Sequence, residues 1–130
     1  MLAMSDGPAP DTTIRLRVPA EEDFVSLLRA TVRVVAGRLG CSDDARSRLQ
    51  AATGRAFFAL LEDATTIGGT VSLTVTWDDE RVAAEVRCDP PPSSPVLATV
   101  DAHHDLADGH ELLDDGRALR LWVRRADDEP

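Results

Sequence analysis

The chain has 130 residues, enough for one domain with a single two-layer core, and its net charge of −9 argues against binding to nucleic-acid phosphates. It contains no Lys, Asn or Tyr, which excludes a lysine Schiff base, a P-loop lysine and an asparagine metal ligand. No apolar run reaches the roughly 18 residues of a membrane span, and the first residues do not resemble a leader. We therefore expect a cytoplasmic protein that contacts neither nucleic acid nor membrane.

The ends of the chain differ in composition from its middle. Residues 1–11 and 126–130 are polar and carry Pro or Asp, which predicts flexible ends around one domain over 12–125. The two cysteines, Cys41 and Cys88, are far apart and lack the spacing of metal ligands. We interpret them as reduced, small apolar side chains of a cytosolic protein.

The first predicted elements are a strand and a helix. Apolar and polar residues alternate over residues 12–18, which predicts a half-buried strand that ends at Pro19. Residues 21–39 have apolar side chains at helical spacing and are followed by Gly40, a suitable C-cap. The predicted buried stripe of this helix consists of Phe24, Leu27, Leu28, Thr31, Val35 and Leu39.

A second, longer helix follows. Ser42 is a suitable N-cap, and apolar residues recur at helical spacing over 47–64. Gly54 lies in the middle of this helix, where glycine costs about 1 kcal/mol relative to alanine. Two explanations of Gly54 remain open: close packing against a neighbour, or a backbone opened for a ligand.

Strands dominate the rest of the chain. Strict alternation over residues 71–77 and 82–88, around a turn of acidic residues, predicts an antiparallel hairpin with one apolar face. The proline-rich stretch 90–95 cannot continue the ladder. Residues 96–107 predict a short helix, and the segments on either side of Asp-Asp-Gly at 114–116 predict a second hairpin.

This order of elements predicts an α+β two-layer sandwich in which a mostly antiparallel, mixed sheet carries the helices on one face. In the last strand, Trp122 is in phase with Arg120 and Arg124, so we expect it on the open face of the sheet. That face is a candidate surface for a homodimer or another partner.

The order and spacing resemble the ATP-binding domain of the histidine-kinase-like superfamily, and most closely the anti-sigma-factor serine kinases of bacterial partner-switching systems. The resemblance covers Ile14 to Arg125 and rests on I-R-L-R-V-P-A, L-R-A-T-V, G-C-S-D-D, V-S-L-T-V-T-W-D-D-E-R and L-L-D-D-G-R-A-L-R-L. It implies the histidine-kinase-like ATPase fold.

In that family, the central helix carries a catalytic Glu and, four residues later, an Asn that binds Mg²⁺. An Asp followed by glycines then reads the adenine. Here Arg55 and Ala59 occupy the first two positions. Asp89 matches the adenine-reading Asp, but Pro91 stands at the first glycine, whose freedom a proline lacks.

These departures imply a degenerate, catalytically inactive member without a bound cofactor. An active ATP-dependent serine kinase, using ATP and Mg²⁺, is the alternative. For Arg55 we favour an ordinary exposed or ion-paired side chain over a contact with a metal-free nucleotide.

The resemblance also implies a partner. In the family, an arginine of the first helix contacts the sigma factor and the anti-anti-sigma (STAS-type) protein, and Arg29 falls at that position. We therefore predict partner binding through Arg29, and through Arg33 on the same helix, although a solvated arginine is the plainer explanation.

A third hypothesis is a metal-dependent enzyme. Potential ligands crowd one short segment, although their spacing fits no standard site. They are Asp101, His103, His104, Asp105, Asp108, His110 and Glu111.

Overall fold

The computed structural model describes residues 12–63, 69–91, 107–114 and 117–125. In this part of the chain two helices pack on one face of a five-stranded sheet, as predicted for an α+β sandwich. A short 3-10 helix, Glu22–Phe24, leads into the first helix. The elements are β1 (Thr13–Pro19), α1 (Val25–Arg38), α2 (Asp43–Asp63), β2 (Thr70–Trp77), β3 (Arg81–Asp89), β4 (Gly109–Leu113) and β5 (Ala118–Arg124).

The strands lie in the order β1-β2-β3-β5-β4, and every neighbouring pair is antiparallel, so the described sheet is not the mixed sheet that we expected. Both predicted hairpins are present, as β2–β3 and β4–β5. On the face covered by the helices, one apolar row crosses all five strands. It consists of Leu16, Leu73, Val86, Leu119 and Leu112. Because successive side chains of a strand point to opposite faces, the residues directly before and after each of these five point to the open face.

The buried side of α1 differs from the predicted stripe. Leu27, which we had placed in the core, is 47% exposed, while Val32 is fully buried. Leu27 and Leu28 are 100° apart around a helix, so both cannot face the sheet centre. Leu28, Val32 and Ala36 follow one another at steps of four residues, and their burial turns Leu27 towards solvent. Thr31 is also only partly buried.

The second helix begins as predicted. The backbone N–H of Ala45 donates to Ser42 Oγ at 3.0 Å, which makes Ser42 the N-cap. Helix α2 packs on β3 and β5 through side chains that are fully buried. The apolar ones are Leu49, Ala52, Ala56, Phe57 and Leu60. Thr53 is buried among them and its hydroxyl donates to the carbonyl of Leu49 at 2.8 Å.

Several predictions concern residues that the structure does not describe. The helix predicted over 96–107 lies outside the described residues except for Ala107, which is buried and not helical. The ends 1–11 and 126–130 also lie outside them. Cys41 and Cys88 are both free and buried, in agreement with their predicted apolar role. Burial raises the pKa of the Cys41 thiol, against the opposing effect of the nearby Arg125 and Arg46.

Within the described ranges, no helix combines the length and the apolar character that crossing a membrane requires.

Candidate functional site

Helices α1 and α2 meet along a seam where arginines of one helix lie on glycines of the other. A Cβ atom at Gly54 of α2 would be 2.6 Å from Nε of Arg29, and a Cβ atom at Gly37 of α1 would be 3.0 Å from Nη1 of Arg46. The two contacts mirror each other because the helices run antiparallel. Glycine at both positions therefore makes room for an arginine of the opposite helix.

This geometry decides between the two explanations of Gly54. The guanidinium of Arg29 fills the space above the glycine, so Gly54 serves close packing, and its backbone is covered. The helix-breaking tendency of glycine is offset here by that contact. Arg29 of α1, which we predicted to contact a partner, is partly buried, and its guanidinium packs against Gly54 of α2. A partner would therefore meet Arg29 on the seam itself.

The second predicted partner residue lies on the same seam. Arg33, one helical turn after Arg29, is exposed, and its Nη1 donates to Oε1 of Gln50 at 3.2 Å. The structure thus brings Arg29 and Arg33 together along one line, with α2 beside them. A guanidinium held by a neutral amide keeps its charge available to an acidic surface.

The outer face of α1 carries apolar side chains that the sequence analysis did not predict to be exposed. Val34 is 61% exposed and Leu27 is 47% exposed, and Ala30 between them is exposed as well. These three residues are spaced at i, i+3 and i+7, which places them on one stripe. Burial of Leu28 and Val32 places this stripe on the outside, and helical spacing alone could not identify it because Leu27 fits that spacing as well.

The four residues that the sequence analysis compared with the kinase positions also have defined places. Arg55 is exposed on α2, and Ala59, one turn later, is partly buried. Asp89 ends β3 and is exposed, as is Pro91 after it. Gly69 lies close to this end of β3, because a Cβ atom there would be 3.0 Å from the carbonyl oxygen of Asp89. Helix α2 packs on β3, so the two sets of residues lie on neighbouring elements.

The predicted metal ligands are only partly described. Asp101, His103, His104 and Asp105 lie outside the described residues. Asp108 accepts the backbone N–H of Arg124 at 2.6 Å and Nη1 of Arg48 at 3.0 Å. Glu111 pairs with Arg120 at 3.7 Å. In the described ranges no three such side chains are grouped as metal ligands.

Trp122 lies on the open face as predicted, since its neighbours Leu121 and Val123 are fully buried on the other side. Its ring occupies the space above Gly109, its partner on β4, where a Cβ atom would overlap ring atoms. The guanidinium of Arg81 stacks on the ring at 4.5 Å from its centroid. Contacts with Gly109 and with the Arg81 guanidinium therefore fix the position of the Trp122 ring.

No protein-family model and no curated protein sequence matches this chain.

Proposed function

We propose that the protein is a regulatory binding module, a catalytically inactive relative of the anti-sigma-factor serine kinases that binds a sigma factor or an anti-anti-sigma protein. The observation that carries the proposal is the outer surface of α1. It combines the exposed apolar stripe of Leu27, Ala30 and Val34 with the two seam arginines, Arg29 and Arg33.

This combination is typical of protein–protein interfaces. Exposed apolar side chains next to arginines supply both area to bury and charged hydrogen-bond donors. The partner that fits has an apolar patch bordered by carboxylates. Such a contact needs no chemistry from the chain, only the rigid presentation of α1 on the sheet.

The composition of α2 supports inactivity. Between residues 45 and 61 this helix has no Asp, Glu or Asn, and Gln50, its one amide there, is bonded to Arg33. A kinase of this kind needs a carboxylate base and an oxygen ligand for Mg²⁺ on this helix. Pro91 has no N–H and a fixed φ, so it cannot replace the glycine that approaches a nucleotide.

Isothermal titration of the purified protein with Mg-ATP and with Mg-ADP tests inactivity. We expect no heat of binding up to millimolar nucleotide. Binding at micromolar concentration would overturn this part of the proposal and favour an active kinase. A phosphorylation assay on anti-anti-sigma proteins would then be the next experiment.

Partner binding is tested with purified sigma factors and STAS-type proteins encoded in the same genome. We expect one of them to bind, and Val34→Thr to weaken that binding about tenfold or more. Ile14→Thr is the matched control, because Ile14 is a 39% exposed apolar residue that belongs to β1 and not to α1. Absence of binding to every member of both classes, or equal loss in both variants, would contradict the proposal.

A further inference from the structure

The open face of the sheet has two halves that differ in how their charges are matched. On β3, β4 and β5, Arg87 and Arg120 are paired with carboxylates within the face, and Arg81 stacks on Trp122. Nε of Arg87 donates to Glu85 at 2.6 Å, Nη1 of Arg87 contacts Asp114, and Arg120 pairs with Glu111. The hydrogen bond that Arg87 donates to Glu85 raises the pKa of Arg87 above its ordinary value. In this half, Arg87 and Arg120 therefore already have carboxylate partners.

The other half, on β1 and β2, has two arginines without such matching. Arg15 and Arg17 are exposed, and neither has a carboxylate partner among the described residues. Their cross-strand neighbours are the hydroxyl residues Thr74 and Ser72. These four residues line a shallow hollow of about 370 Å³, together with Leu16 and Leu73 on the strands between them. Two guanidinium groups and two hydroxyls around one hollow are donors suited to carboxylates.

The hollow adjoins β1, which is an edge strand among the described strands. In that part of the chain β1 pairs with β2 alone, and no described strand hydrogen-bonds to its other side. Such an edge accepts a further strand through main-chain hydrogen bonds, and the side chains beside it set the specificity. Because Arg15 and Arg17 are two residues apart, both point to the same face, where alternate side chains of an added strand would also lie.

We propose that β1 and the hollow beside it bind an extended acidic peptide segment of a partner protein, added to the sheet as a further strand. Acidic side chains two residues apart in that segment pair with Arg15 and Arg17. A second copy of the chain does not fit this edge. Antiparallel pairing of two β1 strands about Leu16 would place Arg15 opposite Arg17 of the other copy, and like charges opposite each other are unfavourable.

This surface lies on the side of the sheet away from α1 and α2, so the inference does not depend on the proposed function. The chain as a whole carries a net charge of −9, which repels acidic peptides in general. Binding of such a peptide therefore has to come from a local site.

The test uses fluorescence anisotropy with a short labelled peptide in which glutamate and valine alternate, at low ionic strength. We expect saturable binding that Arg15→Gln/Arg17→Gln weakens at least tenfold and that added salt also weakens. Arg120→Gln, on the same face but paired with Glu111, is the matched control and leaves binding unchanged. The same peptide with glutamine in place of glutamate does not bind.

Hydrogen exchange supplies the second readout. Bound peptide protects the amides of β1 that point away from β2, which a purely electrostatic contact would not do. No peptide binding at low salt would overturn the proposal. The arginines would then serve only to prevent edge-to-edge pairing of β1 with other chains. Displacement by millimolar inorganic phosphate without amide protection would overturn it in favour of a small-oxyanion site. A dimer in sedimentation equilibrium that the double variant dissociates would overturn it in favour of a second copy.

Discussion

The two faces of the sheet carry different rows of side chains. A continuous apolar row crosses the face that the helices cover. The neighbouring residues of the same strands form a row of polar and charged side chains on the open face. The open row consists of Arg15, Thr74, Glu85, Arg120 and Glu111. In the covered row, Leu73, Val86 and Leu119 are fully buried, and Leu16 and Leu112 at its ends are partly buried. Burial of this apolar area stabilises the fold without depending on partners. In the open row, ion pairs such as that of Arg120 with Glu111 hold individual side chains. The two faces of the sheet therefore differ in the kind of contact that fixes their side chains.

The comparison extends to two glycines, one in each layer. Gly54 in the helix layer makes room for the flexible side chain of Arg29, while Gly109 on the open face makes room for the rigid ring of Trp122. The same substitution should therefore have different consequences at the two positions, because only the flexible neighbour can move at little cost.

The largest effect is expected at the centre of the covered face. Phe57 is fully buried, so Phe57→Ala should lower the free energy of unfolding by about 3–5 kcal/mol. Phe58, which packs edge-on against Phe57 at 5.7 Å between ring centroids, is only partly buried. Phe58→Ala is therefore the matched control with a smaller loss. Urea unfolding followed by circular dichroism measures both, and equal losses would contradict this account of α2.

On the open face, we expect Gly109→Ala to lower the free energy of unfolding by about 1–3 kcal/mol, because the added methyl group overlaps the Trp122 ring. A double-mutant cycle with Trp122→Ala measures the contact. The alanine at position 109 should cost much less once the ring is removed. A cost that persists unchanged in the Trp122→Ala background would show that the ring is not its cause.

A smaller effect is expected at the helix seam. Gly54→Ala gains about 1 kcal/mol of helix propensity and displaces the flexible guanidinium of Arg29 at a small cost, so the net stabilisation should be less than about 1 kcal/mol. In an Arg29→Ala background the gain remains alone, and Gly54→Ala should then stabilise by about 1 kcal/mol. Thermal unfolding of the four variants of this cycle provides the measurement. Strong destabilisation by Gly54→Ala in both backgrounds would contradict the role given to Arg29.

The smallest effect concerns the turn between β2 and β3. The Asp78 carboxylate accepts the backbone N–H of Glu80 at 2.7 Å and of Arg81 at 3.0 Å, and these bonds lower the pKa of Asp78 below its ordinary 3.8. Because the pKa is lowered on folding, this contribution to stability is present above pH 3.8 and is lost as the pH falls through the folded value.

Asp78→Asn keeps an acceptor oxygen at the turn but removes the charge. The difference in unfolding free energy between wild type and variant should therefore be constant near neutral pH and shrink below pH 3.8. Urea titrations at a series of pH values measure it. A difference in unfolding free energy that grows as the pH falls would contradict this prediction.

Much of the fold could be predicted from local patterns. The alternation over 71–77 and 82–88, the second hairpin and the N-cap at Ser42 are all present. Each of these features depends on interactions between residues that are close in sequence. A local sequence pattern is therefore enough to predict it. The function and the partner residues Arg29 and Arg33 remain predictions that rest on the resemblance and on the outer surface of α1.

The sequence by itself determined the strand faces, the N-cap of α2 and the absence of a carboxylate or asparagine in the middle of α2, because period, caps and composition are local properties. It placed the start of the first helix at residue 21, whereas α1 begins at Val25 after a 3-10 helix. Only the tertiary structure decided that Leu27 faces solvent and that Arg29 packs against Gly54. It also decided that Arg120 is paired while Arg15 and Arg17 have no carboxylate partner among the described residues. These facts depend on which helix face meets the sheet and on β5 lying between β3 and β4. Contacts between residues far apart in the chain set both, and no local pattern encodes them.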